Sequence, residues 1–154
     1  MFKRILIAYD GSKPANKAFH TALDLAEKYQ ATLQVLALVR PPDLVADFET
    51  VLSAVNPWEY AESIEMETML KRAQERYLQQ FVLLRERAAQ SAVVPEFQVS
   101  VGHPAEEIVG QAEEKSIDLI IVGHRGMGLF EHWLLGSVAK AVIAHATCAV
   151  LVVR

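Results

Sequence analysis

Five short apolar runs, separated by segments of helical periodicity, constrain the fold of this chain more than any other feature. Most positions in these runs are apolar, as is typical of strands buried on both faces of a parallel sheet, although the third run alternates in polarity. Strands that alternate with helices along a chain predict a parallel α/β sheet with helices on both faces. The runs cover residues 5–9, 32–39, 94–102, 117–123 and 148–153.

The segments between the runs carry the signals of helices. Ser12 predicts an N-cap, and Pro14 lies in the first predicted turn. Glu106 and Glu107 lie in the first turn of a later helix, where carboxylates favour the positive end of the helix dipole. Apolar residues recur at helical spacing over a long central segment that ends at Ala88. The predicted helices cover residues 13–29, 61–88, 104–115 and 138–144.

Residues 43–60 interrupt this pattern. Asn56 and Pro57 break the helical periodicity, yet the segment is too apolar for a solvated loop. Two interpretations stay open, namely a short helix packed over the edge of the sheet, or a lid or partner surface.

Charge and cysteine content exclude several classes of function. The net charge is −4 and no block of like charge is present, which argues against nucleic acid or an anionic membrane as the main partner. Cys148 is the only cysteine, so an intrachain disulfide and a cysteine-rich zinc site are excluded, and a reducing cytoplasmic location is expected. No apolar run has the length of a membrane span or a signal-peptide core. The 154 residues are predicted to form a single domain over residues 1–154.

Glycines after the fourth run indicate a binding site. Asp10 and Gly123 both follow predicted strands, and ligands of doubly wound sheets bind outside the carboxyl ends of the strands. Glycine permits positive φ and a close approach of the backbone to a ligand, so Gly123 and Gly126 predict a ligand-binding turn. Gly136 and Ser137 precede a helix whose amides and dipole favour a phosphate. The alternative is that the glycines are turn residues and Ser137 is only a helix cap.

The stretch GHRG, followed after nine residues by GS, resembles the nucleotide-binding signature of the universal stress protein family. That resemblance extends over nearly the whole chain. It implies an adenine nucleotide α-hydrolase-like fold, which is a five-stranded parallel α/β sheet in the order 3-2-1-4-5, and ATP as the bound cofactor. The other matching stretches are ILIAYDGS, GHPAEEIV, IDLIIVGHRG and LLGSVAKAVIAHATCAVLVV.

The resemblance also implies roles for individual residues. It assigns Asp10 to the ribose, with Ala8 nearby, and Leu38 to a main-chain contact with adenine. His124 and Arg125 lie inside the glycine turn and either contact phosphate or point into solvent. The ribose and phosphates are assigned to Val122, Gly123, Gly126, Gly136, Ser137 and Val138.

Two positions depart from the family pattern. Ala139 stands where nucleotide-binding members often have a second hydroxyl residue, which implies one phosphate hydrogen bond fewer. Ala149 replaces a commonly seen proline before the last strand, which implies a looser entry to that strand.

Other reactive residue types indicate no catalytic or metal site. The five histidines lack the i, i+4 pair with a carboxylate partner that zinc peptidases use. Cys148 has no basic neighbour in the sequence, which favours a buried, inert thiol. Glu106 and Glu107 diverge by about 100° around a helix, so they do not form an acid–base pair. The sequence therefore predicts no catalytic residue and at most slow ATP hydrolysis.

The predicted function is that of an ATP-binding module with a nucleotide-responsive regulatory or protective role in the stress response. A Mg or Mn ion could bridge the phosphates. The last apolar run would be an unprotected sheet edge in a monomer, so a homodimer through the C-terminal strand is expected. The alternative is a dimeric interaction module of the same family without nucleotide. A third reading, an adenylating enzyme on a related sheet, has no catalytic signature in its support.

Overall fold

The computed structural model describes residues 1–40, 64–125 and 135–154. The interrupted segment over residues 43–60 and Gly126 lie outside these described residues. In chain order, the elements are β1 Arg4–Tyr9, α1 Lys13–Tyr29, β2 Thr32–Val39, α2 Ile64–Ala88, β3 Glu96–Val101, α3 Pro104–Glu114, β4 Leu119–Gly123, α4 Ser137–His145 and β5 Ala149–Val153.

The five strands form one parallel sheet in the order β3-β2-β1-β4-β5, which confirms the predicted fold class and strand order. β1 lies at the centre, where Ile7 pairs with Val35 of β2 on one side and with Ile121 of β4 on the other. The chain leaves β1 through α1 on one face of the sheet and leaves β4 through α4 on the other face. The carboxyl ends of β1 and β4 therefore flank the switch point at which ligands bind in such sheets.

Each face of the sheet carries its own hydrophobic core. The first core lies under α1 and α2 and includes Phe19 and Phe81, both fully buried. The second core lies under α3 and α4 and includes Ile108 and Val142. β1 sends alternate side chains into the two cores, with Ile5, Ile7 and Tyr9 on one side and Leu6 and Ala8 on the other. This explains why the central runs are apolar at successive positions.

The first helix begins and ends as its sequence indicates. Ser12 is the N-cap, and its hydroxyl accepts a hydrogen bond from the amide of Ala15 at 3.2 Å. Gln30 ends the helix in the left-handed conformation with a φ of 53°. A capping serine with a proline in the first turn holds the start of α1 in a fixed position after β1.

The edge strand β3 follows its predicted alternation only in part. Phe97 and Val99 pack against the first core, whereas Val101, the last residue of the strand, is 38% exposed. The Phe97 ring lies 4.9 Å from that of Phe81, and the guanidinium of Arg85 covers it at 4.6 Å. Among the described residues, no helix has the length and apolarity needed to cross a membrane.

Candidate functional site

The end of β4 lies directly against the start of α1. A Cβ on Gly123 would lie 3.0 Å from the Cβ of Pro14 and 3.1 Å from its carbonyl carbon, which is tighter than most real Cβ contacts. Among the glycines of the described chain, positive φ occurs at Gly11 and Gly102 and not at Gly123. The first turn of α1 packs against position 123, so glycine there allows the close approach of α1 to β4.

The turn after β1 presents the Asp10 carboxylate. Gly11 has a φ of 81°, a conformation that favours glycine, and the turn brings the amide of Ser12 to 2.9 Å from Oδ1 of Asp10. Within the described part of the chain, no residue donates a hydrogen bond to Oδ2 of Asp10. One carboxylate oxygen is thus fixed by the backbone, and the other is available to a donor.

The backbone of His124 connects β4 with β5 and with the start of α4. Its amide donates to the carbonyl oxygen of Val153 at 2.8 Å, and its carbonyl oxygen accepts from the amide of Gly136 at 2.7 Å. The end of β4 and the start of α4 are therefore adjacent, as the sequence predicts for the two halves of a phosphate site. The expectation that the Gly136 amide is free for a phosphate is wrong, because that amide is bonded to His124.

The start of α4 nevertheless keeps amides available to an anion. Gly136 is the N-cap with a φ of −60°, and no side chain caps the helix. The first-turn amides of Ser137, Val138 and Ala139 have no acceptor within the helix, and the helix dipole places partial positive charge on them. Ser137 is exposed, so its hydroxyl can add a further donor.

The apolar residues assigned to the nucleotide share one face of the sheet. Val122 is buried in the second core, and Ala8, Leu38 and Val138 are partly buried against it. Ala139 belongs to the same core and is only 3% exposed. Position 139 thus packs against the core, and the loss of one phosphate hydrogen bond at this position stays a prediction.

The remaining predicted residues lie on the segment after β4. His124 and Arg125 are partly buried, and Gly126 lies outside the described residues. Over the described ranges, no group of three or more His, Cys, Asp or Glu side chains is arranged to hold a metal ion. Cys148 is partly buried, and burial raises the pKa of its thiol, so the thiol stays protonated near neutral pH.

A polar cluster behind the Asp10 turn is absent from the sequence predictions. Oδ1 of Asn16 accepts from the hydroxyl of Tyr9 at 3.2 Å and from Nη1 of Arg87 at 2.9 Å, and Nδ2 of Asn16 donates to the carbonyl oxygen of Ser12 at 3.0 Å. Burial raises the pKa of the Tyr9 hydroxyl above its ordinary value of 10.0, and the Arg87 charge partly opposes this shift. An asparagine four residues after an N-cap is the one available signal, because asparagine is unfavourable inside helices unless its side chain has a specific partner.

Comparison with known proteins identifies the family of this chain. Residues 1–154 match the universal stress protein family over the whole chain. The universal stress protein YxiE of Bacillus subtilis is 35% identical over 154 residues, with complete coverage of both chains. The structure of UspA from Lactobacillus plantarum superimposes with a TM-score of 0.82 at 25% identity and covers 99% of this chain and 98% of its own. The structure of the universal stress protein from Archaeoglobus fulgidus in complex with dAMP has a TM-score of 0.60 at 20% identity and covers 99% and 98%.

Proposed function

The chain belongs to the universal stress protein family, and we propose that it binds ATP between the carboxyl ends of β1 and β4 and the start of α4. Nucleotide occupancy would then regulate a protective role in the stress response, in the cytoplasm and without nucleic acid or a membrane as partner. The proposed binding residues are those assigned above, with Ser137 and Val138 as the amide donors in place of Gly136.

One observation carries the proposal: an acceptor and a set of donors occur at the same end of the sheet. Oδ2 of Asp10 suits a ribose hydroxyl, which donates a hydrogen bond, and the start of α4 suits phosphate oxygens, which accept them. The bond between His124 and Gly136 holds the end of β4 beside the start of α4. Leu38 and Ala8 supply apolar surface on the same face for an adenine ring.

The dAMP complex of the Archaeoglobus fulgidus protein supports an adenine nucleotide as the ligand class. ATP as the particular nucleotide rests on the glycine signature and on the phosphate donors of α4, with Mg or Mn as a counter-ion to its phosphates. The sequence offers no acid–base pair that could activate water, because the adjacent Glu106 and Glu107 diverge around α3. We therefore propose binding with at most slow hydrolysis.

Two measurements test this function. The purified protein is denatured and any released nucleotide is identified by chromatography, and nucleotide-free protein is titrated with ATP, ADP and AMP in a calorimeter. We expect adenine nucleotide in the supernatant and saturable ATP binding. No ATP binding by folded protein at millimolar nucleotide contradicts the proposal.

Gly136→Ala is the sharpest variant for the phosphate half of the site. Alanine adopts a φ of −60° without backbone strain, and the added Cβ should obstruct the approach of phosphates to the α4 amides, with folding checked by circular dichroism. We expect this variant to weaken ATP more than AMP. Equal weakening of both nucleotides would place the phosphates elsewhere.

A nucleotide-free interaction module is the second candidate, and the edge strand β5 favours it. Leu151 and Val153 are only partly buried on one face, Val150 and Val152 only partly buried on the other, and Ile143 of α4 is 47% exposed. Either candidate function is compatible with a homodimer through β5, because an unprotected apolar edge favours pairing with another strand. Light scattering should give about twice the monomer mass of 17.1 kDa, and Val150→Lys should shift the protein toward the monomer.

A further inference from the structure

The Asn16 side chain joins three elements behind the Asp10 turn. Its Oδ1 accepts two hydrogen bonds, from the Tyr9 hydroxyl at the end of β1 and from the Arg87 guanidinium on α2. Its Nδ2 donates to the carbonyl oxygen of Ser12 at 3.0 Å. Every polar atom of the Asn16 amide group is thus engaged.

These bonds reach Asp10 through a single residue. The carbonyl oxygen of Ser12 accepts from the backbone amide and from Nδ2 of Asn16, each at 3.0 Å. The amide of the same Ser12 donates to Oδ1 of Asp10 at 2.9 Å. Ser12 is 7% exposed, so both of its backbone groups depend on these protein partners and not on water.

Helix α2 confines the turn at a second point. A Cβ on Gly11 would lie 2.8 Å from Oε1 of Gln80, so the Gln80 amide rests directly on the glycine of the turn. Gln80 and Arg87 are seven residues apart, which places them on the same side of α2, two turns from each other. The turn that carries Asp10 is therefore held from the side opposite to α4.

We propose that Asn16 is a positioning residue for recognition of the nucleotide ribose. It holds the carbonyl group of Ser12, the amide of the same residue orients the Asp10 carboxylate, and Arg87 aligns the Asn16 amide for this purpose. The carbonyl oxygen and the amide of Ser12 belong to the two peptide groups on either side of its Cα, so Asn16 restrains one of them while Asp10 accepts from the other. The inference rests on the proposed nucleotide site, because it concerns how Asp10 of that site is oriented.

A purely structural role of Asn16 would lower the melting temperature without changing how the site distinguishes ribose hydroxyls, whereas a positioning role predicts the reverse. Alanine is a better helix former than asparagine, so Asn16→Ala offsets part of the lost hydrogen bonding and should change the melting temperature little. Its effect should instead appear in how the site distinguishes ribose hydroxyls, because only the orientation of Asp10 changes.

The test is a calorimetric titration of ATP, 2′-deoxy-ATP and 3′-deoxy-ATP. Wild-type protein should bind at least one of the deoxy analogues more weakly than ATP, since Oδ2 of Asp10 then loses its donor. Asn16→Ala should weaken ATP by about three- to tenfold. It should weaken that deoxy analogue by less, so the ratio of the two affinities falls. In the Asp10→Ala background, Asn16→Ala should change the ratio no further, because interacting residues are not additive.

Two matched pairs control for general effects. Lys17→Ala changes the next, exposed residue of α1 and should leave the ratio intact. Arg85→Ala removes a charge from α2 as Arg87→Ala does, but Arg85 lies over Phe97, so only Arg87→Ala should lower the ratio.

Two further variants keep the test usable if Asn16→Ala fails to fold. Arg87 is exposed, so Arg87→Ala is expected to fold and can replace Asn16→Ala. Asn16→Asp keeps the acceptor for Arg87 and loses the donor to Ser12, so it should behave as Asn16→Ala does.

The possible outcomes distinguish the positioning role of Asn16 from the proposed binding of nucleotide. ATP binding with an unchanged ratio in both Asn16→Ala and Arg87→Ala overturns the positioning role alone. Equal affinity of the wild-type protein for ATP and both analogues also overturns it, because Asp10 then accepts no hydrogen bond from a ribose hydroxyl. Absence of ATP binding by the wild-type protein overturns the proposed function and this role together.

Discussion

Two aspartates at opposite ends of the central strands use their carboxylates differently. Asp118 precedes β4 at the amino end of the sheet, and its two oxygens lie 2.9–3.3 Å from the amides of Lys3 and Arg4. Asp10 follows β1 at the carboxyl end, where only Oδ1 accepts a hydrogen bond, from Ser12, among the described residues. The backbone engages both oxygens of the first carboxylate and one oxygen of the second.

This difference distinguishes a carboxylate that joins strands from one that can meet a ligand. At the amino end, the amide of Asp118 also donates to the carbonyl oxygen of Arg4 at 3.0 Å, so β1 and β4 are tied by backbone and side chain together. The start of α4 lies at the same end of the sheet, and its first-turn amides have no acceptor within the helix and no capping side chain among the described residues. Unsatisfied hydrogen-bonding groups on a rigid frame are what a polar ligand requires.

Exchange of the two aspartates for alanine should give the largest effects. Asp10→Ala should weaken ATP, ADP and AMP alike by about ten- to a hundredfold, because a charge-assisted hydrogen bond to the ribose is lost. Asp118→Ala should leave affinity unchanged and lower the free energy of unfolding by about 1.5–3 kcal/mol. Calorimetry and urea unfolding measure the two effects. Loss of ATP affinity in folded Asp118→Ala would remove the distinction between the two ends.

Gly123→Ala tests how tightly the carboxyl end is packed. The added Cβ meets the backbone of Pro14, so we expect a loss of about 1–3 kcal/mol in the free energy of unfolding. Gly110→Ala is the matched control, since nothing lies within 4 Å of the new Cβ in the exposed part of α3, and alanine should stabilise the helix by about 0.5–1 kcal/mol. Chemical unfolding of both variants decides the matter, and a neutral Gly123→Ala would show that α1 can move away from β4.

Ser137→Ala removes one hydroxyl donor at the start of α4. ATP affinity should fall by about two- to tenfold and AMP affinity by less, because the hydroxyl is assigned to phosphates. Ser91→Ala is the counterpart at the amino end, where the Ser91 hydroxyl accepts from the amide of Val93 at 3.2 Å, and it should not change either affinity. An equal loss of ATP and AMP affinity in Ser137→Ala would count against the phosphate assignment.

The smallest effect concerns Tyr9 at alkaline pH. Burial raises the pKa of Tyr9 in the folded protein above 10.0, so the folded state holds this proton more tightly than the unfolded state. The resulting stabilisation is complete below the unfolded pKa and is lost as pH rises through the folded pKa. Urea unfolding from neutral to alkaline pH should show this decline in wild-type protein and less of it in Tyr9→Phe. An identical decline in both proteins would assign the alkaline sensitivity to other groups.

Local patterns predicted most of the fold. β2 has the predicted bounds, and α1 extends from the residue after the Ser12 cap to Tyr29 as expected, because capping and periodicity are written in neighbouring residues. The strand order came from the resemblance to a known family, and the observed sheet confirms it. β4 begins two residues later than its apolar run, because Asp118 binds backbone amides before the strand.

The places of the candidate residues in the fold were predictable, but their hydrogen bonds were not. Asp10 and the start of α4 were found from glycine spacing and helix signals, whereas the reason for Gly123 and the use of the Gly136 amide depend on contacts with α1 and with His124. Asn16 and Arg87 were missed because 71 residues separate them in the chain. Periodicity reports which face of a helix is apolar and carries no information on which polar side chain will meet a distant one.

The position of β4 beside β1 has a consequence for folding on the ribosome. The bond between Lys3 and Asp118 closes a loop of 115 residues, so the central pair of strands forms only after most of the chain has been synthesised. A nascent chain that ends before α4 contains Asp10 and lacks the helix amides opposite it. Under the proposed function, nucleotide would therefore stabilise the fold only after α4 has been synthesised.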